Sequence, residues 1–101
     1  MYTMDNIKKL PQLGSKAPEA WAAFAAFDKA ALAEGAIPVK YKELMALSVA
    51  LTTQCPYCIE IHRANAVKAG VTEAELAEAV FVTAALRAGA AVTHGTHLIS
   101  K

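Results

Sequence analysis

Apolar positions recur along this chain with helical rather than strand spacing. Trp21, Phe24 and Phe27 step by three and mark one face of a helix. Pro18 suits its first turn and Gly35 its end, so the pattern predicts a helix over residues 18–34. That aromatic face reads as core or subunit contact. Leu44, Leu47, Ser48 and Leu51 follow the i, i+3, i+4, i+7 rule, which predicts a second helix over 40–54. Met45, Val49 and Ala50 add apolar surface on its other sides, so the helix reads as almost wholly buried. A third helix is predicted from Cys55-Pro56 to Ala69, with Gly70 as its C-terminal cap. Thr72 and Glu75 form a capping box that opens a fourth, running to about Ala88 with Leu76, Ala77, Val80, Phe81 and Ala84 inward. Gly89 is expected to break it before a last segment over 90–99. Residues 1–16, with Pro11 and Gly14, read as an arm across the domain. Strand signals are nearly absent, so the fold class is all-α: a single small domain of about five helices over residues 1–101.

Composition sharpens this picture. The chain has 101 residues and is 55% hydrophobic, much of it alanine. Alanine favours helix and fills little volume, so close helix packing with few large anchors is implied. A domain this small hides a limited fraction of its surface, and the surplus apolar area points to a homo-oligomer. Net charge is +1, from ten basic and nine acidic residues, with no basic stripe; nucleic acid is not an expected partner. The most apolar run, residues 79–91, is short and contains Arg87, so no membrane span is expected. The first residues lack the pattern of a secretory signal, which favours a cytoplasmic location.

The chemistry concentrates in Cys55-Pro56-Tyr57-Cys58-Ile59-Glu60-Ile61-His62. These are the chain's two cysteines. Spacings of three and four put Cys55, Cys58 and His62 on one helix face. Amides of the first turn and the helix dipole favour thiolate there, and His62 can take up and return a thiol proton. A dithiol redox centre follows. Other readings use the same residues: small buried cysteines beside a core histidine, or zinc on Cys55, Cys58 and His62 with His94 or His97 as fourth ligand. Zinc knuckles usually place CxxC on a turn, whereas here it opens a helix. Attached haem would need histidine directly after the second cysteine, where Ile59 stands. His94 and His97 read as helix-end residues interacting with the dipole. Taken alone, Glu43 reads as an exposed first-turn residue beside Lys40 and Lys42. Its spacing from the cysteines changes that.

Glu43, eleven residues, then Cys55-x-x-Cys58-x-x-x-His62 resembles the pattern of the carboxymuconolactone decarboxylase-like superfamily, and within it the alkyl hydroperoxide reductase D type. The resemblance covers roughly residues 30–90. It implies an all-helical subunit assembled as trimers or hexamers. It implies reduction of small hydroperoxides by the cysteine pair, with no cofactor or metal beyond a Cys55–Cys58 disulfide, restored by a thiol or lipoylated-protein reductant. It assigns Cys58 as the attacking thiol, Cys55 as the resolving thiol, and Glu43 with His62 as a proton relay. Helix-start electrostatics alone would favour Cys55 as the attacking thiol. Tyr57 stands where the best-known members carry histidine, and is a supporting site residue at most. The chain is about half the length of the two-repeat members, so further helices would come from another subunit. The decarboxylase branch generally lacks the cysteine pair, so lactone decarboxylation is not expected. A thiol–disulfide exchanger or redox sensor without peroxidase activity is the alternative.

Overall fold

A computed structural model describes residues 1–100. Every regular element among them is helical. A 3-10 turn (Met4–Lys9) leads into α1 (Leu10–Lys16), followed by α2 (Pro18–Leu32), α3 (Val39–Thr53), α4 (Pro56–Lys68) and α5 (Glu73–His94). A second 3-10 turn, Gly95–Leu98, ends the described chain.

Local chemistry explains most boundaries. Pro18 and Pro56 occupy first-turn positions where a missing N–H costs nothing. Gln54 ends α3 in the left-handed region, at φ 57° and ψ 45°, and turns the chain sharply into Cys55. Gly70, at φ 90°, ends α4 in a conformation suited to glycine, and the Val71 amide returns to the Ala66 carbonyl at 2.9 Å. The capping box is present as the sequence predicts: Thr72 Oγ1 accepts from the Glu75 amide and Glu75 accepts from the Thr72 amide.

The structure corrects four expectations. Residues 10–16 are helical rather than an irregular arm, and Gly14 packs against the Trp21 ring. Gly89 does not break α5, because one glycine among alanines costs only about 1 kcal/mol in a helix interior. The inward face of α5 carries Leu76, Ala79 and the buried Thr83, while Ala77, Val80, Phe81 and Ala84 are exposed. Likewise α3 is not wholly buried, since Tyr41, Met45 and Val49 face outward.

The core is small. Leu47, Ala66 and Val71 are buried together, with Leu44 and Leu76 packed against them. The chain's surface is 7759 Å², against roughly 5,500 Å² for a compact monomer of this mass. Its radius of gyration is 17.1 Å, against about 13 Å for a compact chain of 100 residues. Phe24, Phe27, Phe81, Leu86 and Val92 account for part of that open apolar surface. Continuity through Gly89 also makes Glu73–Leu98 a 26-residue helical stretch, long and apolar enough by length and composition to cross a membrane.

Candidate functional site: a dithiol beside a buried Glu–His pair

The site lies where α3 turns into α4. Cys55 is the N-cap of α4, extended at φ −95°, with its sulfur turned back over the first turn. The Cys58 amide donates to Cys55 Sγ at 3.3 Å, so the cysteine does the work a serine or threonine oxygen does at other helix starts. Cys58 Sγ lies 2.8 Å from Cys55 Sγ; both are free thiols and both are half-buried.

One proton is shared unequally between these sulfurs. Cys55 already receives a backbone N–H, so negative charge is better held there and the Cys58 thiol donates to it. The Cys58 thiol, and then the Cys58 amide, lower the Cys55 pKa below its ordinary value. The Cys58 pKa is raised, first by that hydrogen bond to Cys55, then by burial and by the charge on Cys55; Asp28 on α2 adds a smaller push.

One turn along α4, His62 Nδ1 meets Glu43 Oε2 at 2.6 Å. Glu43 projects from the second turn of α3, not the first, and is only 5% exposed. The spacing argument, not the exposed-residue reading, therefore describes it. Nδ1 faces the carboxylate, so Nε2 is the ring nitrogen left outside this pair. The structure thus brings Cys55 against Cys58 and Glu43 against His62, on the paired helices α3 and α4.

Tyr57 is held from outside. Its hydroxyl accepts from Asn6 Nδ2 at 2.8 Å, and its ring meets the Tyr2 ring edge-on at 4.8 Å. The Tyr2 hydroxyl donates in turn to Glu60 Oε1. Sequence reading missed Tyr2, Asn6 and Glu60, because contacts across more than fifty residues leave no periodic signal. His94 and His97 sit beside each other, rings 5.6 Å apart, at the end of α5. Among the described residues no group of three or more His, Cys, Asp or Glu side chains is gathered as a metal ion would need.

Comparison with known proteins agrees with this architecture. The chain is 33% identical to an apo carboxymuconolactone decarboxylase family protein from Legionella pneumophila, whose crystal structure matches with a TM-score of 0.77 over 83% of this chain and 75% of that one. A crystal structure of a protein from Methanobacterium thermoautotrophicum matches with a TM-score of 0.80 at 32% identity, over 85% of this chain and 97% of that one. In sequence, the chain is 42% identical over 78 residues to uncharacterized protein 4 in the cox locus of Paracoccus denitrificans, spanning 77% of this chain and 70% of that one. The pattern of the carboxymuconolactone decarboxylase family matches residues 18–101, and the chain belongs to that family.

Proposed function

We propose that this protein is a dithiol peroxidase that reduces small hydroperoxides through Cys55 and Cys58. The observation that carries the proposal is the sulfur pair itself: two free thiols 2.8 Å apart at a helix start, with a buried Glu–His pair one turn away. In the first step His62 Nε2 takes the Cys58 proton and Cys58 attacks the hydroperoxide. The O–O bond breaks, Cys58 becomes a sulfenic acid, and the alkoxide takes the proton back from His62. In the second step the Cys55 thiolate attacks the sulfenic sulfur. The disulfide forms and hydroxide leaves, protonated to water. Two thiols and one hydroperoxide give one disulfide, one alcohol and one water. Once Cys58 is a sulfenic acid the thiol hydrogen bond that most lowers the Cys55 pKa is gone, and the Cys58 amide, the second cause, is left to favour the Cys55 thiolate. A thiol or lipoylated-protein donor then returns the pair to the dithiol by exchange.

Measurement of free thiols in reduced protein, before and after one equivalent of an organic hydroperoxide, tests this. Rapid loss of both thiols is expected. Cys58→Ser should abolish it, and Cys55→Ser should trap a sulfenic acid. Thiols that persist for many minutes, or peroxide turnover at the normal rate in Cys58→Ser, would sink the proposal.

The lowered Cys55 pKa also favours a second reading, thiol–disulfide exchange without peroxidase chemistry, in which Cys55 is the attacking sulfur. Fast reaction with protein disulfides and none with hydroperoxides would select it. Either chemistry needs a reducing donor and fits the cytoplasm. The subunit's surplus of roughly 2,200 Å² over a compact monomer is enough for more than one standard interface of about 800 Å² per partner, which supports assembly into trimers or hexamers.

A further inference from the structure

The segment over residues 1–6 is tied to itself and to the dithiol turn. Thr3 caps the 3-10 turn, and the Asn6 amide donates to the Thr3 carbonyl at 2.9 Å. The Asn6 side-chain amide donates twice, to the Met1 carbonyl at 2.9 Å and to the Tyr57 hydroxyl at 2.8 Å. Tyr2 reaches further along α4, stacking edge-on against Tyr57 and donating to Glu60. Tyr57 is the residue between the two cysteines. The hydrogen bond to Glu60 is the main cause that raises the Tyr2 pKa to about 12.

We propose that Tyr2 and Asn6 make this segment a strap over one side of the dithiol, and that the strap selects reactants by size. Small oxidants and thiols pass it; bulky or macromolecular ones react only when it lifts. The proposal rests on the dithiol as the reactive centre. Its physical basis is modest and additive. Two hydrogen bonds and one aromatic contact hold the strap, and each hydrogen bond counts for about fivefold in the ratio of closed to open strap. Those contacts are exposed or half-buried and lie outside the Leu47–Ala66–Val71 core, so they can be cut without unfolding the helices. Asn6 acts through Tyr57 and is a positioning residue; Tyr2 is part of the barrier itself.

Alkylation of the reduced protein tests this, with one warhead at two sizes: N-ethylmaleimide, and a polyethylene-glycol maleimide of several kilodaltons. In Asn6→Ala the rate with the large reagent should rise about fivefold while that with the small one stays within about twofold. Tyr2→Ala should rise further, because stack and hydrogen bond are both lost. Tyr2→Phe, which keeps the ring, should fall between it and the unsubstituted protein. Thermal unfolding should be unchanged in all three. Equal large-to-small ratios in every variant would overturn the proposal, as would a parallel rise for both reagents, which would mean that the strap tunes thiol ionisation instead. Alkylation needs free thiols and no peroxide turnover, so failure of the strap and failure of the peroxidase proposal are separately visible.

Discussion

Replacing Glu43 by glutamine keeps the shape of the side chain and one acceptor oxygen but removes its charge. The contact with His62, at 2.6 Å, has the length of a charge-assisted bond. Such bonds contribute about 1.5–3 kcal/mol net, against about 1 kcal/mol for a neutral pair. The difference, about 0.5–2 kcal/mol, applies only while His62 carries the extra proton. In the proposed mechanism that is the step in which Cys58 is deprotonated. Single-turnover thiol loss with an organic hydroperoxide should therefore slow by about 2- to 30-fold in Glu43→Gln. Folding stability should change by less, since neutral His62 can still donate from Nδ1 to the glutamine carbonyl. His62→Ala behaves differently. It strands a carboxylate that is 5% exposed, at a cost of about 3–5 kcal/mol out of a total near 5–15. The double variant Glu43→Leu/His62→Leu should recover most of that stability while remaining inactive, because replacing a buried ion pair by apolar groups is often neutral. Urea denaturation reads the stability and thiol loss reads the rate. A Glu43→Gln variant reacting at the normal rate would refute the relay, and a His62→Ala variant as stable as the double variant would refute the buried pair.

The two thiols should titrate apart. In the reduced protein, thiolate absorbance should show Cys55 ionising below its ordinary range and Cys58 above it; Cys58→Ala should bring Cys55 up and Cys55→Ala should bring Cys58 down, since each is the largest influence on the other. Gly14→Ala should lower stability by about 1–3 kcal/mol in thermal or urea unfolding, because the added methyl would sit 2.6 Å from the Trp21 ring where α1 packs on α2. Phe81→Glu should weaken the assembly measured by sedimentation, since Phe81 is 73% exposed on the isolated subunit and a charge there would have to be buried between copies; an unchanged oligomer would place the interface elsewhere.

Features set by a few neighbouring residues were legible in the sequence. Thr72 with Glu75, Gly70, and Pro56 after Cys55 each act within one turn, so their types alone specify what the backbone does. The Glu43 spacing located the partner of His62, although its local setting beside Lys40 and Lys42 suggested solvent. What the sequence concealed depends on distant surroundings. Phe81 and Thr83 on α5 show why: Phe81 has the stronger core signature yet is exposed and Thr83 is buried, because residue type does not say which face another helix will cover. Thr83 can face inward because its hydroxyl donates to the Ala79 carbonyl at 2.8 Å, which satisfies it without any partner from another helix. Tyr2 and Asn6 were illegible for a related reason, since their contacts with Tyr57 and Glu60 cross more than fifty residues.

The best-buried part of the subunit and the proposed relay occupy the same interface. Glu43 and Leu47 are one turn apart on α3; His62 and Ala66 are one turn apart on α4. Leu47 and Ala66 are the centre of the core, and Ala66 has no exposed surface at all. The carboxylate is therefore fixed by the packing that holds the two helices together, and it has little freedom to turn towards water. That rigidity has a chemical consequence. A proton acceptor backed by an immobile carboxylate needs little reorganisation when it becomes charged, which is where preorganised sites gain their advantage over solution. The thiols obey a different logic. Cys55 and Cys58 sit half-buried at the helix end beside Gln54, in its left-handed conformation, where reactants can reach them and the backbone already departs from helix. In the proposed mechanism proton handling therefore falls to the interior of the α3–α4 pair, and sulfur exchange to its open end. A substitution that loosens Leu47 should slow proton transfer without changing access to the sulfurs, whereas one at the strap should open the sulfurs to large reactants and leave proton transfer alone.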